Sequence, residues 1–95
     1  MMEKKVVMNI PKDFVVDEVA TFRMEIKKLI EDGNKDFIFN FSQCNFIDST
    51  GLGALVSIYK KCDEKNGSIK LQSLNPDVEK LFKLTRLDKV FEICP

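Results

Sequence analysis

Apolar residues recur along the chain with two different spacings, and each spacing predicts one kind of element. Short runs that are apolar at every position or every second position predict β-strands, whereas repeats every three or four residues predict amphipathic helices. Pro11 ends the first run, because proline has no N–H group to donate to a sheet. The predicted strands lie at residues 6–10, 35–41, 69–74 and 90–93.

Three helices are predicted between these strands. Asp17 is the predicted N-cap of the first helix, and Gly33 followed by Asn34 is a typical C-terminal stop. Asn75 before Pro76 predicts the start of the third helix, since asparagine caps well and proline fits the first helical position. The expected apolar faces are Val19, Phe22, Ile26, Leu29 and Ile30 in the first helix, Leu52, Leu55, Val56, Tyr59 and Cys62 in the second, and Val78, Leu81, Phe82 and Leu84 in the third.

The alternation of strands and helices predicts one α/β domain covering residues 1–95. Its sheet is expected to be mostly parallel or mixed, with about four strands and with helices packed against it. The strand at 35–41 carries Phe37, Phe39 and Phe41 on one face and Ile38 on the other, a pattern typical of an interior strand. A chain of 95 residues is large enough for a single hydrophobic core.

Charge and cysteine content narrow the possible partners and the compartment. Fifteen basic and fifteen acidic residues cancel, which argues against direct binding of nucleic acid or of an anionic membrane. No apolar run is long enough to span a membrane, and the start of the chain does not have the pattern of a signal peptide. Cys44, Cys62 and Cys94 are predicted to be reduced thiols. A cytoplasmic protein without membrane insertion is therefore expected.

The chain contains no histidine, and this changes the expected chemistry. Histidine is the commonest general base and the commonest transition-metal ligand, so triads and zinc sites that depend on it are excluded. Asp48 precedes Ser49 directly, but an ionised aspartate in that place is a poor base for the serine hydroxyl. We therefore predict that the protein is not an enzyme and has no cofactor or metal site.

Phe46 and Ile47 are expected to enter the core, and the segment Asp48-Ser49-Thr50-Gly51-Leu52-Gly53 joins them to the second helix. The start of a helix leaves N–H groups unpaired and concentrates positive potential. Ser49 or Thr50 is expected to cap these N–H groups, and the two glycines allow another surface to approach closely. A hydroxyl held there is a candidate for phosphorylation. The alternative is that Ser49 and Thr50 act only as caps.

Small residues continue along the side of the second helix on which Ser49 lies. Gly53 and Ser57 follow it at intervals of four, with Ala54 beside them. Residues at this spacing share one face of a helix, and small side chains would let a partner helix or backbone come close. The alternative is that this row is simply the solvent-exposed face.

Several motifs together resemble the STAS domain of bacterial anti-sigma-factor antagonists. They are the strand FIFNF, the turn and helix start FIDSTGLGAL, the strand SIKLQSLNP and the helix VEKLFKLTRLDKVF. They follow one another in continuous register between Phe37 and Leu87. The resemblance implies a STAS-type α/β fold and a role in partner switching and transcription regulation.

In that family, an anti-sigma factor with an ATP-dependent serine kinase fold of the GHKL type phosphorylates the serine that follows the aspartate. The resemblance therefore implies Ser49 as the phosphoacceptor, with Asp48 and Thr50 shaping the site. The unphosphorylated antagonist binds the kinase and frees the sigma factor, and a PP2C-type phosphatase restores the serine. The residues expected to line the docking face are Gly51, Leu52, Gly53 and Ser57.

A second function remains open at this point. The chain is short at both ends compared with the antagonists, and in length it is similar to the STAS subunits of lipid-transport ABC complexes. Such a subunit binds an ATPase as an adaptor and need not be phosphorylated. The presence of Asp48 followed by Ser49 favours the switch. A monomer or weak dimer is expected.

Overall fold

The computed structural model describes residues 4–94, which form six strands, three α-helices and one 3-10 helix. The elements are β1 (Val6–Asn9), β2 (Asp13–Phe14), α1 (Val16–Glu31), β3 (Asp36–Asn40), β4 (Phe46–Ile47), α2 (Ser49–Glu64), β5 (Ser68–Gln72), α3 (Pro76–Leu84), the 3-10 helix (Leu87–Lys89) and β6 (Glu92–Cys94). The predicted α/β fold is confirmed, with the three predicted helices and a strand in each predicted region. The strands β2 and β4 were not predicted.

The main sheet has four parallel strands in the order β1-β3-β5-β6. Strand β3 lies between β1 and β5, so the prediction of an interior strand is confirmed. Phe37 and Phe39 are buried on one face of this strand. The ring of Phe22 from α1 meets Phe39 edge-on at 5.3 Å between ring centroids. Helix α1 therefore packs on this face of the sheet, and α2 lies against α1 and β5.

The other face of the sheet has a different character. Val7 is 60% exposed there, and its neighbour across the ladder, Ile38, is only half-buried. Lys70 and Glu92 form an ion pair at 3.7 Å on the same row. The apolar Ile38 thus stabilises the sheet without being sealed beneath a helix.

Strand boundaries and helix ends depart from prediction at three places. Helix α1 begins one residue before Asp17, and its N-cap position is Val15, which makes no side-chain cap. The cap prediction for Asp17 is therefore wrong, although its carboxylate in the first turn still suits the helix dipole. Val90 precedes the last strand instead of lying in it. Leu84, predicted on the apolar face of α3, is 70% exposed, because it follows the buried Phe82 by two residues and so lies on the other side of the helix.

The start of α3 is fixed as predicted. The Asn75 side chain accepts a hydrogen bond from the N–H of Val78 at 2.8 Å, and Pro76 occupies the first helical position. The same side chain donates from Nδ2 to the carbonyl oxygen of Cys44 at 3.0 Å. Asn75 therefore ties α3 to the loop that leads to β4, in addition to capping the helix.

A two-stranded parallel sheet lies beside the main one. Phe14 of β2 pairs with Ile47 of β4, and both side chains are buried. Phe46 was expected to enter the core with Ile47, but it is 55% exposed. Neighbouring residues of a strand point to opposite faces, so the burial of Ile47 turns Phe46 outward. This small sheet sets the position from which α2 begins.

Candidate functional site

The start of α2 is capped by Asp48. This residue has an extended backbone, and its carboxylate accepts a hydrogen bond from the N–H of Gly51 at 2.9 Å. Its backbone carbonyl accepts the first helical hydrogen bond, from Leu52, at 3.0 Å. The prediction that Ser49 or Thr50 caps this helix is therefore wrong, because the last extended residue before α2 is the aspartate.

Ser49 and Thr50 consequently occupy the first two positions of the helix itself. Both residues are exposed. Helix geometry gives their N–H groups no intrahelical acceptor, so both donors lie at the open end of α2. Within residues 4–94, neither hydroxyl is held in a side-chain hydrogen bond. The Ser49 oxygen is therefore free of a capping role and accessible from solvent.

Gly51 is a packing residue beneath this surface. It is buried, and a Cβ atom placed on it would lie 2.7 Å from the carbonyl oxygen of Phe14 and 2.8 Å from Cγ1 of Ile47. Only glycine allows the first turn of α2 to approach the β2–β4 pair so closely. The expectation that Gly51 lines an exposed docking face is therefore corrected: it supports that face from below.

The row of small residues on α2 is partly as predicted. Gly53 is exposed, and a Cβ atom placed on it would meet nothing within 4 Å. Ser57 and Leu52 are half-buried, and Leu52 packs against the core. Ala54 was expected beside Gly53 and Ser57, but it is fully buried. The exposed row is therefore narrow, running from Ser49 through Gly53 to Ser57.

The loop before the turn is held in place from inside. The Cys44 side chain is buried, and its thiol donates to the carbonyl oxygen of Phe46 at 3.4 Å. Burial raises the pKa of the Cys44 thiol, and the negative charge of Asp13 raises it further. Hydrogen bonds with the backbone of Phe46 and Phe14 lower the pKa but do not cancel this rise. A thiol in this state is a poor nucleophile. Cys44 is thus a structural residue of the site.

Two apolar residues near the turn are exposed, which their sequence context does not predict. Phe46 directly follows the loop, and Val16, 61% exposed, is the first residue of α1. The pairing of Phe14 with Ile47 brings the starts of α1 and α2 side by side. The exposure of Phe46 could have been predicted only from an alternation of polar and apolar residues around it, and a strand of two residues is too short to show such a period.

No group of three or more histidine, cysteine, aspartate or glutamate residues within 4–94 is arranged to hold a metal ion. None of the helices in this part of the chain has the length and apolar character needed to cross a membrane.

Comparison with known families identifies the fold around this turn. The model of the STAS domain family matches residues 3–95. This chain belongs to the STAS domain family. The resemblance inferred from the DSTGLG turn and its flanking elements is confirmed, and the Ser49 turn lies at the start of the second helix of a STAS domain.

Individual relatives point to one group within the STAS family. The chain is 30% identical over 91 residues to the anti-sigma-B factor antagonist of Bacillus subtilis (strain 168), covering 96% of this chain and 83% of that protein. It is also similar to the crystal structure of a candidate anti-sigma factor antagonist from Thermotoga maritima. That match has a TM-score of 0.83 and 27% identity, and covers 92% of this chain and 77% of the other.

A third similarity concerns the fold alone. The structure of the Bacillus cell fate determinant SpoIIAA in its phosphorylated form matches with a TM-score of 0.77 and 23% identity, covering 96% of this chain and 83% of the other. The first two matches place this STAS domain among relatives of anti-sigma factor antagonists.

Proposed function

We propose that this STAS domain is a phosphorylatable anti-sigma-factor antagonist and that Ser49 is its phosphoacceptor. The unphosphorylated chain binds an anti-sigma factor that has serine kinase activity, and this binding releases a sigma factor. Phosphorylation of Ser49 ends the binding, and a PP2C-type phosphatase restores it. The observation that carries the proposal is the exposed Ser49 hydroxyl at the first position of α2, freed from capping by Asp48.

The electrostatics of the turn support a change in docking with little change in folding. A phosphate adds about −1.5 to −2 charges at neutral pH. The positive end of α2 favours that charge by about 0.3–1 kcal/mol, while the neighbouring Asp48 carboxylate opposes it. These terms are small against a folding free energy of about 5–15 kcal/mol. Beneath a docked partner the same charge would lose its water, at a cost of several kcal/mol.

The docking surface is proposed to comprise the exposed or half-buried residues around Ser49. They are Asp48, Thr50, Leu52, Gly53 and Ser57. Gly53→Gln adds bulk at a point where a new side chain meets no other part of the domain. This variant is expected to fold normally and to bind the kinase more weakly by at least about tenfold, or 1.4 kcal/mol. Lys80→Gln, on the exposed side of α3, is the matched control.

The proposed partners and compartment follow from the same role. The antagonist acts in the cytoplasm, where an ATP-dependent kinase has its substrate, as a monomer or weak dimer. Its balanced charge, fifteen basic against fifteen acidic residues, supports contact with proteins and not with nucleic acid.

The phosphoacceptor is tested by incubating the chain with the anti-sigma-factor kinase of its own organism and ATP. Mass spectrometry of proteolytic peptides then locates the phosphate. We expect phosphate on Ser49, none on Ser49→Ala, and normal labelling of Thr50→Ala, which removes the adjacent exposed hydroxyl. Phosphate on Thr50 would contradict the assignment, and no phosphate together with binding to a transporter ATPase would favour the adaptor role.

A further inference from the structure

A groove runs between the C-terminal halves of α1 and α2, well away from Ser49. It consists of two connected hollows of about 350 Å³ and 200 Å³. The hollows are continuous because Lys27, Ile30 and Lys61 line both of them. From Arg23 to Glu31 the groove follows about 12 Å of helix axis, since each helical residue adds about 1.5 Å. We call this feature the α1–α2 groove.

The walls of the α1–α2 groove are mainly basic. Arg23 and Lys27 of α1 face Lys61 and Lys65 at the end of α2, while two glutamates lie at the far end. The ion pairs within residues 4–94 are Lys70–Glu92 and Lys83–Glu79, so none of the four cations of the groove is held in an ion pair in this part of the chain. Glu31 and Glu64 lower the positive excess of the groove from four charges to two. Because the whole chain is balanced in charge, the positive excess here is local.

Favourable interaction with the helix dipoles does not explain why these basic residues cluster along the groove. Lysine in the last turn of a helix interacts favourably with the dipole, and Lys28 in α1 and Lys61 in α2 have that position. Arg23 and Lys27 lie before the last turn of α1, where the dipole effect has fallen off. Their charges raise the positive potential of the groove without a comparable gain in helix stability.

The floor and one edge of the groove are apolar. Ile26 and Ile58 form its floor and are buried, with Ile30 beside them. Met24 stands at the edge and is 73% exposed, the most exposed of the large apolar side chains in the described residues. Methionine adapts its shape to different partners. The groove therefore offers a narrow apolar strip between basic walls, and Met24 is its exposed part.

We propose that the α1–α2 groove binds an acidic amphipathic helix of a protein partner. An amphipathic helix places its apolar face in such a groove, and about 12 Å accommodates two helical turns. Acidic residues on its flanks would pair with Lys27 and Lys61. A small anion would use the lysines but would leave the apolar strip and Met24 exposed, so the combined surface favours a peptide.

This second surface is separate from the phosphorylation site. Ser49 and Lys61 lie on the same helix about 18 Å apart along its axis. The two surfaces meet only at Ser57, which belongs to the proposed docking surface and also lines the second hollow, so a helix in the α1–α2 groove leaves Ser49 uncovered. The inference does not depend on the proposed role of Ser49, and Ser49→Asp should bind the helix as tightly as the wild-type chain.

A synthetic helical peptide with leucine along one face and glutamate elsewhere tests the proposal. It is titrated into the ¹⁵N-labelled chain and followed by NMR chemical shifts. We expect the largest shifts in the C-terminal halves of α1 and α2, and at least about tenfold weaker binding by Lys27→Glu/Lys61→Glu. The control Lys80→Glu/Lys89→Glu reverses two exposed lysines outside the groove and should bind like the wild-type chain.

Further binding measurements distinguish the proposed acidic helix from other possible occupants of the α1–α2 groove. A peptide with lysine in place of glutamate should not bind, and Met24→Asp should weaken binding of the acidic peptide while Met24→Leu retains it. Equal binding by Lys27→Glu/Lys61→Glu, with its circular dichroism unchanged, would overturn the proposal. The proposal would also be overturned if inorganic phosphate at equal concentration produced the same chemical-shift changes. A dimer held together through this groove, as measured by light scattering, would overturn it too.

Discussion

Replacing Gly51 by alanine should destabilise the fold, whereas the same replacement at Gly53 should stabilise it. Both glycines lie in α2, where alanine is intrinsically better than glycine by about 1 kcal/mol. At Gly53 the new methyl group meets nothing within 4 Å. Gly53→Ala should therefore gain about 0.5–1 kcal/mol in the free energy of unfolding.

At Gly51 the same gain is outweighed by a clash. The methyl group would lie 2.7 Å from the Phe14 carbonyl oxygen and 2.8 Å from Cγ1 of Ile47. The oxygen belongs to the backbone of β2, which is paired with β4, so it cannot move aside alone. Overpacking of this kind costs about 1–3 kcal/mol. Because the clash is with backbone, the cost should lie in the upper part of this range, about 2–3 kcal/mol, so Gly51→Ala should lose about 1–2 kcal/mol after the helix gain of about 1 kcal/mol is subtracted.

Urea unfolding and thermal melting followed by circular dichroism measure both variants. For a domain of this size 1 kcal/mol shifts Tm by about 4–8 °C, so the two alanines should move it in opposite directions. Equal increases in Tm for Gly51→Ala and Gly53→Ala would refute the close contact between α2 and the β2–β4 pair. The position of Ser49 above that contact would then also need revision.

Three further predictions concern caps and a buried thiol. Asp48→Ala should lose about 1 kcal/mol of stability and Asp48→Asn much less, since both aspartate and asparagine cap well. Asn75→Ala, which also loses the bond to Cys44, should lose about 1–2 kcal/mol in urea unfolding. Burial of the Cys62 thiol and, to a smaller extent, the negative charge of Asp36 raise the pKa of Cys62 from 9.0 to about 11. Stability should therefore fall between these pH values by up to about 3 kcal/mol, and Cys62→Ala should show a smaller fall.

Long periodic segments could be predicted from sequence because their burial repeats many times. Helix α1 buries Val19, Phe22, Ile26 and Ile30, as its spacing indicates. Helix α3 was predicted from local chemistry, because Asn75 and its neighbours act within one turn. In both cases the deciding interactions lie close together in the chain.

The details of the proposed phosphorylation site depend on contacts between distant segments. Asp48, Ser49 and Thr50 are three consecutive residues that can all cap a helix, so composition alone cannot choose among them. The choice is fixed by the pairing of β4 with β2, which keeps the chain extended through Asp48. The burial of Gly51 likewise depends on Phe14, which is distant in the chain. Strands of two residues carry no period from which this pairing could be predicted.

Charge at Ser49 is proposed to control docking while the fold remains intact. The most direct test is isothermal titration calorimetry of the cognate kinase with the chain before and after phosphorylation at Ser49, with Tm recorded for both forms. We predict at least about tenfold weaker binding after phosphorylation and a Tm shift of no more than about 4–8 °C, equivalent to 1 kcal/mol. Equal affinities, or loss of binding that comes only from unfolding, would contradict the account.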